Sequence, residues 1–157
     1  MSKTAIATLI GALALLFASS ASQAQDGAME GVDVYFMEEG FYDNLKDAMA
    51  DAEGTLYLDL SLQSPKLQLI PAGVFELKNL KYLELSFNQI GSIDARILDL
   101  NQLEVLGLSG NKYLKSVSDK VFSMALLKEL HLKDTGLSSA QLDEIKSKLP
   151  ESCELIR

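Results

Sequence analysis

The residues of this chain that could do chemistry are few: one histidine, His131, one cysteine, Cys153, and carboxylates that must be sorted by position. A histidine beside a carboxylate can move protons, and a thiol beside a base can attack. Cys153 has neither a base nor a cluster of positive charge near it in Leu149-Pro150-Glu151-Ser152-Cys153-Glu154-Leu155. Its apolar neighbours predict a small buried side chain in a C-terminal cap, and not a reactive thiol. With only one cysteine there is also no internal disulfide, so the chain must close its ends by packing alone. For His131 and the carboxylates, the outcome depends on which elements bring them together.

Those elements follow from a repeat. Leu80, Leu83, Leu85, Asn88 and Ile90 recur in spacing at Leu103, Leu106, Leu108 and Asn111, and again at Leu127, Leu130, Leu132 and Leu137. Each copy has a matching lead-in: Ile70 to Leu77, Ile93 to Leu100 and Val117 to Met124. The period is 23 or 24 residues. One such unit leaves both flanks in water, and only stacking turns its leucines into a continuous core. Asn88 and Asn111 stand at the bend, where an amide side chain can bond backbone groups that would otherwise be buried unpaired. Thr135 replaces the asparagine in the last unit.

The ends are less regular. Leu56, Leu58 and Leu60 alternate with polar residues as a strand, but Leu60 to Ile70 is ten residues where Leu85 to Ile93 is eight. The extra residues predict a bulged loop in 63–69, with Pro65 ending the strand. Leu45, Ala48, Met49 and Ala52 predict a short helix behind Asp43 or Asn44, stopped by Gly54, that covers the first repeat. At the other end Ser138 to Gln141 reads as a capping box. Leu142, Ile145 and Leu149 line one face of the helix behind it, and Pro150 ends it. A last strand over Cys153, Leu155 and Ile156 follows, its edge guarded by Glu151, Glu154 and Arg157.

Residues that alternate with the buried leucines face outward. In register they form rows: Tyr57, Tyr82, Val105 and Glu129; then Asp59, Glu84, Gly107 and His131; then Ser61, Ser86, Ser109 and Lys133; then Leu62, Phe87, Gly110 and Asp134. Tyr57 and Tyr82 stand about 4.8 Å apart on adjacent strands. With Leu62 and Phe87 they are either interface anchors or a cross-strand contact that steadies the sheet. Asp59 beside Glu84 places like charges on neighbouring strands, which a basic ligand or a cation would relieve and solvent would screen. Glu84 and His131 are separated by Gly107, so their backbones lie about 9–10 Å apart, and no second histidine or thiolate is near to complete a metal site.

The N-terminal 24 residues belong to a different function. Lys3, an apolar run of 14 residues from Ala5 to Ala18, and Ser22-Gln23-Ala24 form the pattern of a secretory signal peptide with cleavage after Ala24. The run is shorter than the ~20 residues a membrane span needs. Residues 25–44 hold six acids and no Lys or Arg, which predicts a solvated acidic arm, with a short strand at Val32, Val34 and Phe36 as the alternative. The formal charge of the whole chain is −8, so nucleic acid is excluded as a partner.

The run Leu80-x-x-Leu83-x-Leu85-x-x-Asn88-x-Ile90, its lead-in Ile70-Pro71-x-x-Val74-Phe75-x-Leu77 and the ending Leu149-Pro150-x-x-Cys153-x-Leu155 resemble the leucine-rich repeat domain of small secreted bacterial proteins. The resemblance covers residues 45–157. It implies an α/β fold: a short, curved solenoid with a parallel sheet on its concave face, helical and 3₁₀ segments on its convex face, and helical caps at both ends. It also implies non-catalytic binding of a protein through the concave face, with no cofactor or metal. The expectation is a monomer, secreted, periplasmic or at the cell surface, with a partner that is a protein of basic character. The binding residues expected are Tyr57, Asp59, Tyr82, Glu84, Ser86, Phe87, Val105, Glu129 and His131. A carbohydrate or cell-envelope ligand stacked on Tyr57 and Tyr82 is the second reading, and a hydrolase or metal site around Glu84 and His131 the third.

Overall fold

The computed structural model describes residues 40–157. The signal segment 1–24, the arm as far as Glu39 and the alternative strand at Val32 to Phe36 lie outside the described residues. Six short strands form one sheet in which every neighbour is parallel and strand order is chain order. They are β1 (Phe41–Tyr42), β2 (Tyr57–Asp59), β3 (Tyr82–Glu84), β4 (Val105–Gly107), β5 (Glu129–His131) and β6 (Glu154–Ile156). Helix α1 (Leu45–Ala50) follows β1, and α2 (Ser139–Lys148) precedes β6. Between β2 and β5 the return path of each unit carries a 3₁₀ turn, at Ala72–Glu76, Ala95–Asp99 and Val121–Ser123.

The repeat period explains the topology. Each unit lays the same three-residue strand beside the previous one, so Leu58, Leu83, Leu106, Leu130 and Leu155 stand in one line. With Leu80, Leu85, Leu103, Leu108, Leu127 and Leu132 they build the core, in which Leu83, Leu85, Leu106, Leu108 and Leu130 have no exposed surface. Burying each such side chain stabilises the stack by about 1.5–3 kcal/mol. Ile97 and Leu100 close the core from the return side, whereas Leu98 is turned to solvent.

The asparagines do what the repeat requires of them. Asn88 is buried; its amide donates to Leu60 O (2.8 Å) and Leu85 O (3.0 Å), and its oxygen accepts from Leu67 N (3.2 Å). Asn111 repeats this with Leu85 O (3.0 Å), Leu108 O (2.8 Å) and Ile90 N (3.0 Å). Each amide thus ties its own unit to the preceding one. Thr135 keeps one bond of the set, to Leu132 O.

The irregular ends refine or correct the sequence expectations. Strand β2 ends at Asp59, well before Pro65. Leu67 takes the place of Ile90 in the asparagine bonding pattern, so the extra residues lie before it, in 63–66. Helix α1 is shorter than predicted, and its N-cap is Asn44, whose side chain accepts from Asp47 N. Finally, Phe41 and Tyr42, at the end of the stretch read as a solvated arm, are the first strand of the sheet. Gly40 makes this possible with φ of 77°, a left-handed conformation that turns its carbonyl onto the amides of Leu56 and Tyr57 (both 2.9 Å).

The C-terminal cap forms as expected. Ser138 and Gln141 exchange both capping-box bonds, Ile145 and Leu149 are buried, and β6 pairs with β5. Cys153 is 1% exposed in this cap, and burial pushes its thiol pKa up, away from the reactive thiolate. Among the described residues no helix is long and apolar enough to cross a membrane.

Candidate functional site

The sheet face opposite the core carries the rows in the register read from the sequence: Tyr57, Tyr82, Val105 and Glu129 in one, Asp59, Glu84, Gly107 and His131 in the next. Strand β6 extends them with Glu154 and Ile156, and β1 adds Phe41 ahead of Tyr57.

Phe41 is the residue of this face that sequence reasoning missed. Its ring stacks on Tyr57 with centroids 4.7 Å apart, and Tyr57 stacks on Tyr82 at 4.4 Å, with interplanar angles of 29° and 21°. One strand spacing separates the rings, which is the distance at which parallel rings meet. The only sequence signal was an aromatic pair one repeat-like strand ahead of Tyr57, hidden in acid-rich surroundings. Stacking covers both faces of the Tyr57 ring. Burial raises the pKa of its phenol above the ordinary 10, with Tyr82, Asp59 and Glu84 adding to the effect. The Tyr82 phenol is pushed up to about 12, by burial first and then by Glu84, Glu129 and Asp59.

Asp59 and Glu84 do stand side by side, and the structure shows why the pair is tolerated. Asp59 accepts the amide of Ser61 and Glu84 the amide of Ser86, each at 2.8 Å. A charged acceptor on a backbone N–H is stabilised locally. Glu84 also extends over Gly107, occupying the space a Cβ there would fill, which draws its charge toward β4. Neither carboxylate has a cation within ion-pair distance among the described residues.

His131 does not join Glu84. Its Nε2 lies 2.8 Å from a carboxylate oxygen of Glu129, two residues away on the same strand. Alternation puts both side chains on one face, and the bond is made along the strand instead of across it. A proton-transfer pair of Glu84 and His131 therefore loses its geometric basis, and no group of three or more metal-ligating side chains occurs among the described residues.

Ser86, expected on the binding face, is 7% exposed. Its carbonyl accepts from Leu62 N and its amide is held by Glu84, so the residue is enclosed where the chain turns from sheet to loop. Phe87 is 53% and Leu62 65% exposed. Both have positive φ, 58° and 53°, as do Gly110 and Asp134 in the same row. Each unit thus leaves the sheet through a left-handed residue, a position where a bulky side chain is strained. The Phe87 ring lies over Gly110, where a Cβ would collide with it. Away from this face, a cleft of about 140 Å³ lies between Val117, Phe122, Leu137 and Ile145, rimmed by Glu144 and Lys148.

Residues 58–112 match the family described as Leucine rich repeat. An adenylate cyclase of Schizosaccharomyces pombe is 32% identical over 99 residues, a match that takes 63% of this chain and 5% of the cyclase. Among solved structures, an LRR protein of Leptospira interrogans superposes with a TM-score of 0.62 at 25% identity, over 74% of this chain and 28% of that one. An internalin of Listeria monocytogenes gives 0.45 at 15% identity, over 73% and 37% respectively. This chain spans a small part of the length of each, so the activities of those whole proteins do not come with the match.

Proposed function

The chain is a leucine-rich repeat protein, and on that premise we propose that it works without catalysis, holding a protein partner on the open face of its sheet. The observation that carries this reading is the contrast between the two faces. The core face is nearly uniform leucine and serves the stack, whereas the open face presents Phe41, Tyr57 and Tyr82 with Asp59 and Glu84 beside them. Clustered aromatics with polar neighbours have the composition of an interface. Exposed Phe87 and Leu62 at the strand ends extend the apolar part, and a strained conformation kept at exposed apolar residues fits a surface retained for contact.

A carbohydrate ligand, the second reading, would stack on Tyr57 and Tyr82, but Tyr57 has a ring against each of its faces and only the far face of Tyr82 is left for it. The repeat family and the pairing of His131 with Glu129 likewise weigh against an enzyme.

We further read the chain as exported, because residues 1–24 have the charge, apolar core and small-residue end of a signal peptide. It then acts as a monomer of the small secreted bacterial type, in the periplasm, outside the cell or at its surface. Chain recovered from the source cells should begin at Gln25. An N-terminus at Met1 or Ser2 in the bulk of the protein sinks that part of the reading.

The binding claim is tested with the full chain as bait. Val105→Trp fills the open face next to Tyr82 without touching the core, and Leu98→Gln alters an exposed position on the return side. Loss of the captured partner in Val105→Trp alone is the expected result. Capture that survives Val105→Trp places the partner elsewhere and overturns the reading.

A further inference from the structure

The outward positions of the six strands carry four carboxylates, Asp59, Glu84, Glu129 and Glu154, one imidazole already bonded to Glu129, and neither lysine nor arginine. The charges are not evenly placed around the aromatic stack. The stack ends at Tyr82, because Val105, the next residue of the row, has no ring to continue it. Glu129 follows Val105 in the same row, and Glu84 sits one step along β3 with its carboxylate over Gly107. The far side of Tyr82 thus faces a short aliphatic side chain, with Glu129 beyond it in the same row and the carboxylate of Glu84 in the row beside it. The field of those carboxylates reaches the ring, where Glu84 and Glu129 both oppose loss of the phenolic proton.

From this arrangement we infer that the partner is a basic protein segment, and that one of its arginine or lysine side chains lies against the far face of Tyr82 with its charge between Glu84 and Glu129. The inference rests on the open face being the binding face. A cation is drawn to a ring face and to a carboxylate by the same charge, and its aliphatic stem packs on an apolar side chain such as Val105. Each exposed ion pair contributes little alone. Tyr82, Leu62 and Phe87 therefore supply apolar contact, while the acids select the partner's sign and speed its approach. The same acids repel an anionic glycan or nucleic acid.

The probe is a short peptide alternating arginine with leucine, compared with the same peptide carrying glutamate for arginine and with a neutral glucose oligosaccharide, each titrated against the full chain. The arginine peptide should bind, more weakly as salt is raised, and the glutamate peptide should not. Glu84→Gln with Glu129→Gln should weaken the arginine peptide roughly tenfold. Tyr82→Leu should weaken it as well, while Tyr82→Phe, which keeps the ring face, and Glu151→Gln, away from the face, should not. Equal binding of the two peptides, unchanged affinity in the double variant, or preference for the oligosaccharide overturns the inference. If Val105→Trp abolishes capture of the natural partner while Glu84→Gln with Glu129→Gln leaves it intact, the open-face reading stands and the basic partner does not. If Val105→Trp leaves capture intact, the open-face reading itself has failed.

Discussion

The carboxylate of Glu84 lies over the α-carbon of Gly107, in the volume that a side chain on the next strand would take. A glycine within a strand normally weakens it. Here the gap on β4 receives an acid from β3.

The first expectation follows from that contact. Gly107→Ala puts a methyl group where the Glu84 carboxylate rests and forces it off the amide of Ser86, costing about 1 kcal/mol. In a Glu84→Ala background the same change should cost close to nothing, because the space is then empty. Denaturant unfolding of the four proteins of this cycle measures the coupling. Equal costs in both backgrounds would show that the two residues do not interact.

Leu106 has no exposed surface and stands in the middle of the leucine line. Leu106→Ala should cost about 2–5 kcal/mol, whereas Glu84→Ala, on the open face, should cost about 1 kcal/mol or less. Similar melting temperatures for wild type and Leu106→Ala would contradict the packing described.

Asn111 is fully buried and bonds three backbone groups in two units. Asn111→Ala takes this partner from Ile90 N and Leu108 O, while Leu85 O keeps its bond from Asn88, and should cost about 2–4 kcal/mol, whereas Thr135→Ala, which removes one bond near the end of the stack, should cost about 1 kcal/mol. Hydrogen exchange should locate the loss at the amide of Ile90 and at its neighbours. A cost for Asn111→Ala no greater than that for Thr135→Ala would show that the inter-unit bonds add nothing.

Tyr82 sets a pH dependence. Its phenol ionises at an ordinary 10 in the unfolded chain and is pushed up to about 12 when folded. Between those values the folded state keeps a proton that the unfolded state has lost, so stability declines as pH rises from about 10 to 12. Tyr82→Phe retains the stacked ring without the titrating group and should flatten that decline. A stability profile in Tyr82→Phe that falls as steeply as wild type over this range would contradict the raised phenol.

Much of the molecule was legible in its residues alone. The 23- or 24-residue period set the stacking of the units, the leucines of the core, the asparagine bends and the rows of the open face, while the parallel sheet came as an expectation from the family resemblance. Period and alternation are local properties of the backbone: once each unit repeats the same path, register and facing follow without knowledge of contacts. The tertiary structure decided the rest. Phe41 became the first ring of the aromatic stack although its segment is too short to show a period. Ser86 was enclosed at the sheet's exit, His131 bonded Glu129, and Glu84 turned onto Gly107. These outcomes depend on side-chain torsions and on what the adjacent strand leaves empty. Residue spacing constrains neither, so the scaffold could be read from the sequence, whereas the side-chain arrangement of the open face had to be folded to be seen.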